Sequence, residues 1–583
     1  MGLKAEAREH RPEHHSNRAV MRQSGLTGVA AFAGVIAGLV LDISIAFRFG
    51  AGQNTDAFFI ASRIPLGLAA VVMAAANQAL VPAFRTSMTK RGRQQTSRLI
   101  SMVVCAILAA GGALTLLAWL IAVPLMRVTA PGVSEHELSL AASMVPVVFA
   151  MVPLIAVAEV LRAHLNASYA FVAPALMTVV LNGLAAAMIL VAPILGWHKD
   201  IHLVAFAFLA GAVAQAGFMW LMSVRQGLRF RPALDMGDEH LRSVGALSVR
   251  PLAAAGLNPV ARLGEQLIVS FLPVGSITIL NYGYMLVSAI GGTVFFRSVI
   301  VALLPRLTDA HNRGDREGVL RFTRLGMQVM LAISLPLTAF MAVLAKPAVI
   351  AVFHRGSFTE ASAALLGTVL AVYSVSLVGS ALQRALLAPF FARLDTRTPL
   401  RTTFYGTVAN MLLLPVLVLP FGLSNRNAII GVALAFSLAV YVNVAHAWYH
   451  LARSDGPPAR GLLGFTLRLT VASVVSAAAM IGASIVLHLD QTVDRVSLLI
   501  LTPVAGLIGL AVLLGAMYVL AGREIAGWRV LLRRRRPAGA VMPDSVAGGA
   551  MGSEALVDVA LSEAEVEGQD EAEQNAPIGA NLP

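Results

Sequence analysis

Long apolar stretches alternate along the chain with short polar segments that are rich in arginine. A membrane-spanning helix needs about 20 mostly apolar residues, and proline and glycine are common inside such helices. The pattern predicts an all-α polytopic membrane protein. Its fourteen predicted spanning helices, numbered 1 to 14, cover residues 26–47, 57–84, 99–125, 140–165, 172–196, 202–224, 245–272, 276–305, 325–352, 361–388, 398–422, 427–451, 461–488 and 497–521.

The composition excludes an ordinary soluble protein. Hydrophobic residues make up 57% of the 583 residues, and charged residues only 13%. Soluble proteins carry about 25% charged residues to cover their surface. The net charge of +13 does not indicate nucleic-acid binding, because the basic residues lie in short runs between apolar stretches. The single cysteine, Cys105, excludes a disulfide within the chain.

The basic residues are concentrated in alternate loops. The N-terminal tail and the loops after helices 2, 6, 8, 10 and 12 hold most of them, whereas the odd-numbered loops hold one or two each. Cytoplasmic loops carry such an excess, so both termini are predicted to be cytoplasmic. Residues 1–24 are polar and basic, and the first apolar run is long enough to span. This predicts a retained first helix rather than a cleaved signal peptide.

Landmarks in the first six helices recur in helices 7 to 12. Gly52 precedes Pro82 by 30 residues, Gly275 precedes Pro305 by 30 residues, and each proline is expected to close its helix. Two further pairs keep offsets of 222 and 225 residues: Arg162 with Arg384, and Pro174 with Pro399. A six-helix unit is therefore predicted to occur twice. Because six is an even number, both copies face the same way, and such parallel repeats place a substrate site between the two halves.

This division predicts five segments: a cytoplasmic basic tail over 1–24, a first lobe over 25–224, a second lobe over 245–451, helices 13 and 14 over 461–521, and a C-terminal segment over 522–583. The C-terminal segment begins with a basic stretch up to Arg536 that suits anionic lipid headgroups. It continues as an acidic tail without lysine or arginine, which is expected to be disordered. A solubilising tail and a docking site are both open interpretations.

Several short motifs resemble one known family. Residues 49–59 read FGAGQNTDAFF, residues 63–65 read RIP, and residues 355–359 and 391–399 lie on either side of helix 10. Together these motifs resemble the lipid II flippase family (MurJ/MviN), which is part of the multidrug/oligosaccharidyl-lipid/polysaccharide exporter superfamily. The resemblance covers residues 25 to about 520. The matching positions are Gly50, Gly52, Asp56, Pro65, Pro82, Gly356, Asp395, Arg397 and Pro399.

The resemblance implies two lobes around a cationic central cavity. It implies a transporter rather than an enzyme, which moves a lipid-linked peptidoglycan precursor across the plasma membrane while the prenyl tail follows helices 13 and 14. Family members typically carry cavity arginines on helices 1, 2 and 8 that are proposed to hold a diphosphate. The corresponding positions in this chain are apolar: Val35, Leu41, Ala69 and Met285.

Five ionisable residues at membrane depth are the candidate substrate-binding residues. A charged group at the bilayer centre costs about 3 kcal/mol or more unless it is paired or hydrated. Arg262 and Glu265 share one face of helix 7 and form either an anion site or a structural ion pair. Arg297 either binds a phosphate bidentately or reaches the headgroups. Asp42 is either a cation or proton site or an interlobe partner for an arginine, and Arg250 either lines the cavity mouth or contacts lipid phosphate.

The sequence contains no Walker loop, nucleophile elbow or zinc-ligand spacing, so no cofactor, metal or ATP-driven step is predicted. The leading interpretation is a flippase for an undecaprenyl-diphosphate-linked cell-envelope precursor, most simply lipid II, that works by alternating access. Its expected partners are membrane lipids and the undecaprenyl-linked glycan, together with a coupling ion and envelope-synthesis proteins at the termini. The alternatives are a flippase for another polyprenyl-linked glycan and a transport-deficient scaffold of envelope synthesis.

The acidic tail is predicted to be dispensable for transport. Truncation after Arg536 should leave membrane insertion and transport unchanged, because the removed segment has too little apolar content to fold. Rescue of a strain depleted of its own lipid II flippase, by the full-length and by the truncated chain, measures this. Loss of rescue at normal expression would show that the tail docks a required partner.

Overall fold

The computed structural model describes residues 17–197, 199–233, 237–292, 295–458, 461–489 and 495–527, which form helices and loops without a β-strand. The first lobe consists of α1 (Asn17–Phe49), α2 (Gln53–Ala75), α3 (Val81–Leu120), α4 (Ala122–Thr129), α5 (Glu135–Ala167), α6 (Val172–Val191) and α7 (His202–Arg225). The second lobe consists of α8 (Glu239–Val269), α9 (Ser276–Gly292), α10 (Phe295–Asn312), α11 (Arg316–Phe353), α12 (Glu360–Ala392), α13 (Arg397–Val418) and α14 (Ala428–Ser454). α15 (Leu462–Val486) and α16 (Arg495–Gly527) follow, and the predicted acidic tail lies outside the described residues.

Several helices begin where the local sequence supplies a cap. At the start of α5, the Ser134 hydroxyl accepts from the amide of Glu137, and the Glu137 carboxylate accepts from the amide of Ser134 at 3.1 Å. This reciprocal pair satisfies amides that have no partner inside the helix. Asp315 and Thr359 cap α11 and α12 in the simpler way, through a single side-chain acceptor.

Pro82 and Pro305 do not close their helices, contrary to the prediction. A π-helical turn (Ala76–Leu80) joins α2 directly to α3, and Pro82 is the second residue of α3. Pro305 lies inside α10. Proline removes one backbone donor, and a π turn is one of the irregularities that let a helix continue past such a position. The run that follows is interrupted instead at Gly92, where φ is 80°.

Eleven helical segments of the described chain are long and apolar enough to cross a membrane. One of them is a continuous run over Gln53–Leu120 that contains predicted helix 2 and most of predicted helix 3. α8 is not among the eleven, and it carries five charged residues. Predicted helix 8 is described as two shorter segments, α9 and α10. The all-α, multi-pass fold is therefore confirmed, and the count of fourteen spans stays a prediction.

The helix pairings of the first lobe recur in the second lobe. α1 packs on α6 as α8 packs on α13, and α3 packs on α5 as α11 packs on α12. In the same way α7 packs on α5 and α6, and α14 packs on α12 and α13. α15 and α16 pack on each other and on α11, outside this scheme. The repeated order supports the internal repeat, while the exact lobe boundaries stay predictions.

Cysteine labelling tests the predicted orientation. Lys199→Cys, between α6 and α7, and Arg316→Cys, at the start of α11, each introduce an exposed thiol into a Cys105→Ser background. Lys199→Cys should react from outside intact cells, whereas Arg316→Cys should react only after permeabilisation, because arginine-rich loops stay cytoplasmic. A membrane-impermeant maleimide provides the readout. Labelling of both positions from the same side would contradict the topology.

Candidate functional site

A cavity of about 590 Å³ lies between the two lobes. Its walls come from α2 in the first lobe and from α8, α9, α12, α13 and α14 in the second. Polar groups are costly at membrane depth, so a concentration of them in one cavity marks a candidate binding site. The polar side chains that line it are Ser62, Arg63, Arg262, Glu265, Asn281, Tyr284, Ser380, Gln383, Thr403, Thr407, Asn410 and Asn443.

Arg262 is held in the cavity wall by three neighbours. Its Nη1 donates to Oε2 of Glu265 at 2.9 Å, across a spacing of three residues on α8. The guanidinium carbon lies 3.2 Å from the centre of the Tyr284 ring and 5.1 Å from that of Phe436. Desolvated cation–π contacts of this kind contribute about 2 kcal/mol. Its buried Nη2 has no hydrogen-bond acceptor within the described part of the chain, while the Arg262 side chain as a whole lines the cavity.

Arg63 supplies a second guanidinium from the opposite lobe. Its Nε donates to Oε1 of Gln266 at 3.0 Å, which ties α2 to α8. The sequence analysis named Arg63 only as part of a motif and missed it as a cavity residue. The signal was nevertheless present, because Arg63 is the one basic residue of α2 and carries the same cost at membrane depth as Arg262.

The second-lobe wall of the cavity consists largely of amides and hydroxyls. Nδ2 of Asn443 donates to Oε1 of Gln383 at 3.4 Å. The Oδ1 atoms of Asn410 and Asn443 are buried and have no donor among the described residues. Guanidinium groups bind phosphate oxygens strongly, and amides can bind hydroxyl and peptide groups. The lining of the cavity therefore suits a polar group that carries negative charge.

One end of the cavity is closed by contacts between the lobes, which we call the interlobe gate and define by Asp56, Gly275 and Thr278 together with Gly50 and Ser357. Asp56 on α2 accepts hydrogen bonds from the amides of Gly275 at 2.6 Å and Thr278 at 2.8 Å, and from the Thr278 hydroxyl at 2.5 Å. These amides belong to the start of α9, where backbone donors lack partners inside the helix and the helix dipole favours an anion. A carboxylate of the first lobe thus caps a helix of the second.

Gly50 and Gly356 allow the two backbones to touch at the gate. The amide of Ser357 donates to the carbonyl of Phe47 at 2.8 Å, and its hydroxyl donates to the carbonyl of Arg48 at 3.0 Å. The two glycines have φ values of +74° and +58°, a region that favours glycine. A Cβ on Gly50 would lie 2.4 Å from the Ser357 carbonyl oxygen, and one on Gly356 would lie 2.2 Å from that of Phe47. Larger residues at either position would push the lobes apart.

Gln266 connects the cavity to the gate end of α8. Besides accepting from Arg63, it donates through Nε2 to the carbonyl of Thr129 at 3.4 Å. One turn further on, the hydroxyl of Ser270 accepts from the amide of Gly132 at 3.0 Å. A ligand that displaces Arg63 therefore acts on the same helix that carries these interlobe contacts.

The structure brings together two of the five predicted binding residues, because Arg262 and Glu265 both line the cavity. Asp42 is buried on α1 and is not a lining residue, and it forms no ion pair within the part of the chain that the structure describes. The predicted arginine partner of Asp42 is therefore not found there. The side chains of Arg250 and Arg297 lie outside the described residues, so their roles stay predictions.

The remaining motif positions shape the backbone rather than the cavity. Asp395 accepts from the amides of Arg397 at 2.8 Å and Thr398 at 3.1 Å, at the turn into α13. Partial burial raises the pKa of Asp395, but the hydrogen bond from the Thr398 hydroxyl together with these two outweighs it and leaves the pKa below its ordinary value. Pro399 is the third residue of α13, and Pro65 lies inside α2.

Comparison with known proteins assigns the chain to a family. The sequence profile described as lipid II flippase MurJ matches residues 45–503. The chain belongs to the lipid II flippase MurJ family. A probable lipid II flippase MurJ of Vibrio cholerae is 26% identical over 479 residues, which cover 76% of this chain and 86% of the relative. The lipid II flippase MurJ of Burkholderia cenocepacia is 26% identical over 516 residues, with coverage of 83% and 93%.

Solved structures share the fold. A lipid II flippase MurJ in an inward closed conformation matches with a TM-score of 0.70 at 20% identity, covering 87% of this chain and 100% of that one. An inward-facing multidrug resistance transporter of the MATE family, in the MOP superfamily, matches with a TM-score of 0.59 at 16% identity, covering 74% and 98%. The MurJ family is a family of transporters rather than enzymes. Met285, where the family pattern implies an arginine, lines the cavity as an apolar residue.

Replacement of Asp56 is predicted to loosen the gate. Asp56→Asn removes the negative charge and turns an amide donor toward backbone donors, and each lost bond to a charged group costs about 1.5–3 kcal/mol. In purified protein in lipid nanodiscs, Ser276→Cys in a Cys105→Ser background should then react with maleimide about tenfold faster or more. Ser276 is 4% exposed in the closed gate, so its reaction reports opening.

Asp395→Asn is the matched control for this experiment. Asp395 also accepts hydrogen bonds from two backbone amides and a threonine hydroxyl, but these belong to the start of α13 within its own lobe. Its replacement should leave the labelling rate at Ser276→Cys unchanged. Equal rates with and without Asp56→Asn would contradict the assignment of Asp56 to the gate.

Proposed function

We infer that this protein is a lipid II flippase, which moves the lipid-linked precursor of peptidoglycan from one leaflet of the membrane to the other. The observation that carries this inference is the interlobe cavity, in a chain of the MurJ family, with guanidinium groups of Arg63 and Arg262 on two facing helices. Guanidinium groups at membrane depth are rare, and both of these line the cavity.

Arg63 and Arg262 bind the diphosphate of the headgroup in this proposal. The planar guanidinium suits bidentate contact with phosphate oxygens, and both side chains line the cavity. Glu265 orients Arg262 and offsets part of its charge, which favours release of the anion after transport. The amides of Gln383, Asn410 and Asn443 face the sugars and peptide of the headgroup.

The gate is proposed to lie at the external face, with both termini in the cytoplasm. This orientation follows from the arginine-rich loops and makes the described conformation one that is closed to the outside. The headgroup enters from the cytoplasm, and rocking of the two repeated lobes then breaks the Asp56 contacts and opens the external side. Parallel repeats around a central site are suited to such alternating access.

The lipid partner is proposed to carry an undecaprenyl chain. A coupling ion and envelope-synthesis proteins at the termini stay predictions from the sequence. The two alternatives, another polyprenyl-linked cargo and a transport-deficient scaffold, are not favoured, because relatives named as lipid II flippases match over most of their length. The absence of the family's usual arginines had favoured another cargo, but Arg63 and Arg262 supply cations from different positions.

Arg63→Ala and Arg262→Ala are each predicted to slow lipid II transport about 10- to 100-fold, because each removes charged hydrogen bonds of about 1.5–3 kcal/mol. Lysine at either position should restore only part of the rate, because an ammonium group cannot bind bidentately. Transport of fluorescent lipid II in reconstituted vesicles, read by quenching of the outer leaflet, measures the rates.

Arg85→Ala is the control, because Arg85 donates to the Ala167 carbonyl within the first lobe and does not line the cavity. It should transport at the wild-type rate. Wild-type rates for both cavity variants would show that the diphosphate site is assigned wrongly. Wild-type protein that moves another polyprenyl-linked glycan but not lipid II would establish the alternative cargo.

A further inference from the structure

A second cavity, of about 430 Å³, lies among α2, the π-helical turn, α3, α5 and the first half of α8. We call it the apolar chamber. Its walls include Leu68, Ile107, Leu114 and Leu252, and Ser248 is the one polar side chain among the lining residues that the structure describes. The chamber therefore differs in chemistry from the central cavity, although α2 and α8 line both.

The chamber and the central cavity meet where α2 crosses α8. The crossing is tight, because a Cβ on Gly67 would lie 3.0 Å from Cβ of Pro259. Both residues line the central cavity, whereas the adjacent Leu68 lines the chamber. Leu252, which is seven residues before Pro259 and so on the same face of α8, also lines the chamber. One stripe of α8 thus runs from the chamber to the cationic site.

The chamber lies on the side of the crossing that is away from the gate. Leu68 follows Asp56 by twelve residues on α2, which corresponds to about 18 Å along a helix. On α8 the order is the reverse, because Gln266 is at the gate end and Ser248 is at the chamber. A molecule that filled both cavities would have its polar end near the gate and its apolar end near the opposite face.

Hydrocarbon is the occupant that this chemistry fits. Apolar cavities exclude water, and one of about 150 Å³ already binds benzene. An empty apolar space forfeits dispersion contacts that a bound chain restores. A lipid chain is the hydrocarbon at hand in a bilayer, and the chain of a headgroup bound at Arg262 would start next to the α8 stripe.

We propose that the apolar chamber binds the isoprene units nearest the diphosphate of the transported lipid. This rests on the proposed function. The chain would then leave the protein past α3 and α8, rather than run along α15 and α16 as the family resemblance implies. The chamber thereby makes an isoprenoid chain, and not only the headgroup, part of what the protein recognises.

A photoreactive substrate tests where the chain lies. Lipid II with a diazirine on the isoprene unit next to the diphosphate is irradiated with wild-type protein in nanodiscs, and modified peptides are mapped. Adducts within 103–114 on α3 or 245–252 on α8 that excess unmodified lipid II suppresses support the proposal. Suppressible adducts confined to α15 and α16 would contradict the proposal that the chamber binds the chain, while leaving the proposed flippase function intact. The absence of any suppressible adduct would contradict both proposals.

Two phenylalanine variants on α3 separate the chain from the headgroup. Ala106 lines the chamber, whereas Ala109 is exposed and does not. Ala106→Phe should raise the KM for lipid II at least tenfold, and Ala109→Phe should leave it unchanged. A soluble headgroup analogue that lacks the isoprenoid chain should compete equally well in wild type and Ala106→Phe, which shows that this variant is folded, and less well in Arg262→Ala. Equal lipid II KM values for the two phenylalanine variants would contradict the proposal that the chamber binds the isoprenoid chain.

Discussion

The capping of α9 by the carboxylate of Asp56 is the contact on which the closed arrangement of the two lobes depends. Asp56 is 3% exposed and satisfied by Gly275 and Thr278 of the opposite lobe. An ionised carboxylate at this depth is tolerated only with such partners. Separation of the lobes must therefore expose both the Asp56 carboxylate and the first amides of α9. Water that enters the opened gate can then hydrogen-bond to each of these groups. The contact between Asp56 and α9 can therefore close the gate and can also be exchanged for contacts with water when the gate opens.

The cost of placing a charge in the membrane also explains the contacts around the two arginines of the central cavity. Arg262 is packed between Glu265 and Tyr284, and Arg63 reaches across to Gln266. These contacts hold each guanidinium in place at the wall of the cavity. In the proposed function, the diphosphate of the headgroup binds between them. Because Gln266 also contacts Thr129 near the gate, α8 joins the cavity residues to the contacts near the gate.

Much of this could be predicted from the sequence. Hydropathy and charge indicated an all-α membrane fold, recurring landmarks indicated two related lobes, and a spacing of three residues placed Arg262 and Glu265 together. The gate could not be predicted, because the contact between Asp56 and Gly275 joins residues that are 219 positions apart. Arg63 was overlooked because it was considered only as part of a family motif and not as a charged group at membrane depth. The expected helix end at Pro82 was wrong because a π-helical turn carries the helix past it.

The most direct test of the account is the distance across the gate. Spin labels at Glu135→Cys in the first lobe and Val274→Cys in the second, in a Cys105→Ser background, report this distance by double electron–electron resonance, and both positions are exposed. The account predicts one short distance in the protein alone and a second, longer distance when lipid II is added. A single short distance that lipid II leaves unchanged, at concentrations at which the same protein transports it, would contradict the account.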